Sequence, residues 1–597
     1  MKRAKRLIIM LIFMAIAVNS WGAKAYTGPI VITQTDGTTL TIFGHGDENL
    51  HWYNTSDGVL VVQEGFNYYI ASIDANGNLT ASTQIAHEKG NRSAIEEALV
   101  NVQNKNAFYK AIPTATRMGA ITRSIGTGNP PYFPHTGTPK ALVILVQFTD
   151  TVFKSSDPKA TFNYYLNGKS GDSIPANNDI YQTRNYGSVA QYFNDMSQGT
   201  YQPQFDVVGP VTLNHPSIYY GTGRYDNLQA LVQDACTSVN DSVDFSNYDE
   251  NHDGYVDLVY IIYAGYGSSV SGDDNDIWPQ SGTTSGGTYD NVKVSRFGVN
   301  NELNYWPTKK FSSAPYHRIN GIGLFCHEFS HTLGLPDLYS RLAVDNQELE
   351  YWDLMDGGEY TDNGYRPTPY TPWELEEIGW MNYDELTDTA QYSLKPFDEE
   401  RKAYKITSGV SGNNEYLLLQ NIQNNGWWGK LLGHGMLVYR IDYKSTTVNL
   451  GDFPNGTSGK PGITIVPADS LLISSYRVFS SKSDSTSTTP YSSTRYFNSM
   501  YGDPYPGTKN VLDIDSVTMN SCIIKKPIYN INETTDGTIY FDFLKKIATT
   551  DISNINIEEK KTTDLRIYSI NGIYLGTDES ALPRGIYIRN HKKIIIK

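Results

Sequence analysis

The sequence predicts an α+β protein built from several domains, and three observations carry that reading. At 597 residues the chain is too long for one hydrophobic core. A hydrophobic content of 39% with 12% aromatics supports globular folding, and 44 tyrosines favour aromatic-rich β structure. Strand-like runs fill the N-terminal part and 391–543, and an apolar helix spanning Ile322, Leu324, Phe325, Phe329 and Leu333 lies between them.

The chain opens with Lys2, Arg3, Lys5 and Arg6 before an apolar run over 7–18, and Ala23-Lys24-Ala25 forms a small-x-small cleavage pattern before Tyr26. A signal peptide over 1–25 is expected, because the run is short for a spanning helix of about 20 residues. No later segment is apolar enough to cross a bilayer, so the expected location is secreted or cell surface. Cys236, Cys326 and Cys522 are too few for a disulfide framework, and Cys326 reads as a small buried residue. The net charge of −15 argues against a nucleic-acid-binding surface.

Residues 26–125 read as a hairpin-rich β domain with turn pairs Asp36-Gly37, Asp57-Gly58 and Asn76-Gly77, followed by a helical stretch near 95–112. Segment 117–131 is rich in Gly, Thr and Pro and suits an exposed linker, with Arg117 and Arg123 as candidate processing sites.

The central region, 132–386, carries the stretch that decides the chemistry: His327-Glu328-x-x-His331-x-x-Gly334-x-x-Asp337. Histidines four apart share a helix face and reach one metal ion. Gly334 supplies a helix stop and Pro336 discourages further helix, so the chain turns and brings Asp337 back. Two His and one carboxylate leave a tetrahedral zinc one open position, as catalytic sites require. Glu374, on a predicted helix near 372–377, competes with Asp337 for the third place. Glu328 stands where it meets a water on that metal and reads as general base. In the same region Asp249, Asn251, Asp253, Tyr255 and Asp257 set oxygen ligands at alternate positions, with Gly254 making the turn. Calcium is the natural partner, and an Asx-rich turn without metal is the alternative. Tyr260 stands where a full loop has an acid, and 256–263 reads as a strand, so this is not an EF-hand.

Residues 391–543 read as a β-sandwich-like accessory domain, and 550–597 as a small β domain. The function that follows is a zinc-dependent endopeptidase hydrolysing internal bonds of protein or peptide substrates. Under that function 26–125 becomes a prodomain, since an unrestrained protease digests its producer. It contains no cysteine to block a metal; His45 in Phe43-Gly44-His45-Gly46-Asp47 offers a metal-binding group, with an ordinary β-turn as the alternative. Tyr360 is a candidate oxyanion donor, with a bystander tyrosine as the alternative. The competing function is a surface adhesin or glycan-binding protein with a non-catalytic protease-like domain. Glu328 argues against it, because holding zinc needs no base.

The stretch HEFSHTLGLPDLY over 327–339 resembles the secreted immune inhibitor A family of metallopeptidases, as do 141–148, Gly187-Ser188-Val189 with Tyr192-Phe193, Val207-Val208-Gly209-Pro210 and Tyr370-Thr371-Pro372-Trp373-Glu374. The resemblance covers about 140–381. It implies a metzincin-like fold, with Asp337 where metzincins usually place a third histidine. Trp352-Asp353-Leu354-Met355-Asp356-Gly357-Gly358 looks like the methionine turn of that fold, with Met355 as an apolar pedestal. The tail, with Leu565-Arg566-Ile567-Tyr568-Ser569-Ile570-Asn571-Gly572 and Leu582-Pro583-Arg584-Gly585, resembles a Bacteroidetes-type C-terminal sorting domain. That resemblance implies type IX export and outer-membrane secretion machinery as a partner.

Overall fold

The computed structural model describes residues 19–547 except 49, 112–129, 170–184, 222–225, 305–316, 341–348, 443–452, 458 and 475–492, together with 567–569, 574–576, 578, 582–589 and 592–596. The apolar run 7–18, Arg117, Arg123, nearly all of the Ser/Thr-rich stretch 480–493, and the tail residues Leu565, Arg566, Ile570, Asn571 and Gly572 lie outside the described residues. The chain divides into two units, 1–545 and 546–597.

The run Ala-Leu-Val-Ile-Leu-Val in the strand Lys140–Gln147 is apolar at every position and buried throughout. An unbroken apolar run means both faces of the strand are covered. Ala141, Val143 and Leu145 face a core shared with Phe162, Phe193, Phe325 and Phe329, and Leu142, Ile144 and Val146 face one with Leu231, Val232 and Ala235. Helices Pro158–Asn167, Val189–Met196 and Ile322–Thr332 contribute to the first core, and helix Leu228–Val239 to the second. Strands Gln204–Thr212, Lys140–Gln147, Val259–Tyr263 and Arg296–Asn301 lie side by side in parallel. Gln280–Thr283 then adds antiparallel to Arg296–Asn301, and Asn19–Gly22 antiparallel to that. The central layer is therefore a mainly parallel sheet with helices on both faces, a mixed arrangement of helix and strand. The cause is the doubly covered apolar strand.

Residues 29–85 form a six-stranded meander in sequence order. Gly37, Gly58 and Gly77 sit in its turns at φ of +85°, +75° and +85°. The helix Ala94–Val102 begins with a capping box between Ser93 and Glu96. The meander's core continues into Val270 and Tyr360 of the central region. Gly22, Ala23, Lys24 and Ala25, placed within the expected signal peptide, are buried in this same unit.

Between 384 and 543 a five-stranded sheet and a three-stranded sheet share a core that includes Leu417, Leu419, Val438, Ile539 and Phe541. Leu418, Leu437 and Tyr439 of the five-stranded sheet point the other way, into the core of Phe329 and Trp373. The described part of 546–597 is an antiparallel sheet in the order Tyr574–Gly576, Ile567–Ser569, Gly585–Arg589, Lys592–Ile596. No helix among the described residues is long and apolar enough to cross a membrane.

Candidate metal centre

Helix Ile322–Thr332 is buried along its whole length, so its polar side chains are committed to the interior. Phe325 and Phe329 anchor it: Phe325 stacks on Tyr260, and Phe329 meets Phe133, Phe193 and Phe205. Gly323 lets the segment after Met355 approach, since a Cβ there would collide with the Glu359 carbonyl. The helix ends as glycine chemistry requires: Gly334 sits at φ +97° and its N–H donates to the His331 carbonyl at 3.0 Å.

This ending places Asp337 against both histidines. Its Oδ1 lies 3.3 Å from His327 Nε2 and 3.2 Å from His331 Nε2, and all three residues are buried. The opposite ring nitrogens are tied to backbone: His327 Nδ1 to the Leu354 carbonyl at 3.0 Å and His331 Nδ1 to the Leu335 carbonyl at 2.8 Å. Such bonds put the proton on Nδ1 and leave Nε2 as a lone-pair donor, the outer arrangement of histidine metal ligands. Among the described residues these make up the one group of three or more His, Cys, Asp or Glu that could hold a metal ion, with ligand atoms all within 4.8 Å of one another. Neither Nε2 has a hydrogen-bond partner, and nor does either oxygen of Glu328. Buried polar atoms left this way are costly unless a ligand completes them. A zinc ion fits the donor set.

Burial works against charging either imidazole and lowers the pKa of His331. At His327 the carboxylates of Glu359, Asp337 and Glu328 outweigh burial and raise it to about 10. The carboxyl groups around His327 thus favour a cation at this position. Glu328 is raised well above the ordinary carboxylate range, chiefly by burial.

Glu374 is not part of this group. Its Oε2 accepts from the Thr371 N–H at 2.8 Å and the Thr371 hydroxyl at 2.9 Å, capping helix Pro372–Glu377. Met355 is fully buried, and its carbonyl accepts from the Leu338 N–H at 2.9 Å, joining the turn to the ligand segment. Asp353 Oδ2 braces the turn through the Met355 N–H at 3.0 Å. Cys326 is buried, with its thiol pKa raised by burial.

The loop 249–257 has a different character. Asp249 accepts from the N–H groups of Asp253 and Gly254, Asn251 from Asp253, Asp253 from Tyr255, and Asp257 from Glu250, all at 2.9–3.0 Å. Asp257 is raised to about 6, first by burial and then by the charges of Glu250, Asp249 and Asp253. His45 is a buried strand residue stacked on Trp52, with Nε2 2.5 Å from Asn54 Oδ1, and does not join the metal group. Burial lowers its pKa to about 4.

Sequence reasoning missed two features. Glu359 is fully buried beside the cluster, with its pKa raised to about 8 by burial, and no local sequence signal marked it. The other is the segment 19–26, which runs past the cluster. There Tyr339 donates to the Gly22 carbonyl at 2.7 Å and Tyr360 to the Lys24 carbonyl at 2.6 Å.

Residues 132–379 match the family model of the immune inhibitor A peptidase M6 catalytic domain. Among curated proteins, the chain is 26% identical to Immune inhibitor A of Bacillus thuringiensis subsp. alesti, with 41% of this chain and 41% of that protein covered. It is 23% identical to Pre-pro-metalloprotease PrtV of Vibrio cholerae serotype O1 (strain M66-2), with 34% of this chain and 25% of that protein covered. The chain thus spans well under half the length of the curated relatives it matches.

Proposed function

We propose that this chain is a zinc-dependent endopeptidase, made as a proenzyme and acting on proteins outside the cytoplasm. The observation that carries it is the meeting of His327, His331 and Asp337 with both Nδ1 atoms tied to backbone carbonyls. The match to a peptidase catalytic-domain model and the two peptidase relatives support the same reading.

When bound, zinc supplies Lewis acidity to polarise the scissile carbonyl and acidify a water. His327, His331 and Asp337 would hold it. Glu328, adjacent in sequence to the first ligand and with both oxygens unpartnered, takes the water's proton and delivers it to the leaving amine. Strand Gln280–Thr283 pairs with Asn19–Gly22 as it would with an extended peptide, and its Ser281 hydroxyl donates to the Glu328 carbonyl at 2.6 Å, tying strand to helix. Tyr360 donates to the Lys24 carbonyl, which suits a donor to substrate. The meander supports the proenzyme reading, because its core continues into Val270 and Tyr360 of the central region. Export by an N-terminal signal, and through type IX machinery by the tail 550–597, rests on the sequence patterns alone. Deleting the tail should trap the protein in the periplasm. Calcium in the 249–257 loop would offset the repulsion that raises Asp257, and a calcium-dependent rise in Tm tests it.

The direct test is hydrolysis of casein by the purified, processed protein. Activity should vanish with a chelator and return with zinc. Activity indifferent to chelation rejects the reading.

A further inference from the structure

Residues 19–25 do more than lie near the metal cluster. Asn19–Gly22, the outermost strand of its sheet, pairs antiparallel with Gln280–Thr283, with Gly22 opposite Gln280, and the Ala23 N–H continues to the Pro279 carbonyl at 3.3 Å. An extended peptide augments a sheet edge in this way. Three side chains then hold successive carbonyls: Tyr339 holds Gly22 at 2.7 Å, the Trp278 indole holds Ala23 at 3.0 Å, and Tyr360 holds Lys24 at 2.6 Å.

Held like this, the backbone sends the Lys24 side chain inward, where it is 2% exposed. Its Nζ lies 2.8 Å from Asp356 Oδ1 and 3.7 Å from Glu350 Oε2, and 5.7 Å from the centre of the Tyr339 ring. Asp356 directly follows Met355, and Tyr339 comes two residues after Asp337, so the pocket adjoins the metal cluster. The acids are fixed in place: Asp356 Oδ2 accepts from the Glu350 N–H at 2.6 Å, and Glu350 Oε2 from the Tyr496 hydroxyl at 2.7 Å. Glu350 adopts φ +53°, a left-handed conformation that a non-glycine side chain adopts at a cost. Two buried carboxylates side by side are unfavourable unless a cation joins them, and apolar residues would line a general pocket more cheaply. The pocket therefore matches a basic side chain, and Lys24 is the one it holds.

We propose that Asp356 and Glu350 form the specificity pocket of the peptidase, which takes a Lys or Arg side chain at one of the two substrate positions flanking the cleaved bond. This rests on the peptidase reading above and deepens it. The acids belong to the central region, so the pocket outlasts whatever segment fills it.

The test uses the secreted, processed, zinc-loaded protein and peptide pairs that differ only by lysine or norleucine at each position flanking the bond, with cleavage located by mass spectrometry. At one of those positions the lysine peptide should be favoured by about 10²-fold in kcat/KM, because norleucine leaves the acids unpaired. Asp356→Asn and Glu350→Gln should each pull that ratio towards unity. A ratio measured on one preparation does not depend on how much of a variant folds. Equal cleavage of both peptides by the wild type overturns the pocket and leaves the peptidase reading standing. A lysine preference that survives both substitutions also overturns it. If no peptide is cleaved by zinc-loaded protein, both readings fall.

Discussion

The 327–337 segment and the 249–257 loop both gather oxygen or nitrogen ligands at regular spacing, yet the fold treats them differently. In the first, the imidazoles are anchored from behind by carbonyls, and their Nε2 atoms have no hydrogen-bond partner. In the second, Asp249, Asn251, Asp253 and Asp257 all accept N–H groups from their own loop. Ligand spacing alone does not separate these cases. What separates them is whether the protein completes the polar groups itself or holds them open. A buried, incomplete set predicts a function that depends on metal, and a self-satisfied loop predicts a turn that stands alone and that a cation merely strengthens.

The comparison breaks first at the histidines. His331→Ala should abolish both zinc binding and hydrolysis, measured by metal analysis and casein cleavage on one sample. Glu328→Ala should keep the zinc and lower kcat by about 10²–10⁴-fold, which separates holding the metal from using it. In the loop, Asp249→Ala strands the Gly254 N–H, leaves the Asp253 N–H to Asn251 alone and should cost about 1–3 kcal/mol, seen as a lower Tm with unchanged zinc content. If that substitution removes zinc, the two regions are not independent.

The smallest effect tests a pair in the meander that needs no metal at all. Asp57 accepts both guanidinium nitrogens of Arg92 at 2.7 Å. Against the cost of burial, the Arg92 and Thr55 bonds hold its pKa at about 2. A depressed carboxylate stabilises the fold above its unfolded pKa, and that contribution fades as pH falls from about 4 towards 2. Asp57→Asn should therefore weaken the meander by about 1–2 kcal/mol at pH 7 and have little effect near pH 2, read as faster amide exchange over 29–85.

Much of the centre was legible in the sequence because its constraints are local. Helical spacing sets His327 against His331, and Gly334 with Pro336 sets the turn to Asp337. The choice between Asp337 and Glu374 was not legible, because it depends on a capping box that only the folded helix shows to be in use. Glu350, Asp356 and Glu359 also escaped notice. Acids near a turn usually face solvent, and nothing local reveals that these are buried against Lys24 and His327. The role of 19–25 was hidden for a related reason: its strand partner lies some 260 residues away in the chain, and its own pattern reads as the end of a signal.

Zinc content of the purified chain, measured together with Asp337→Ala and Glu374→Ala, tests the central claim most directly. The account predicts about one zinc per chain in the wild type and in Glu374→Ala, and almost none in Asp337→Ala. Zinc kept by Asp337→Ala and lost from Glu374→Ala would contradict it.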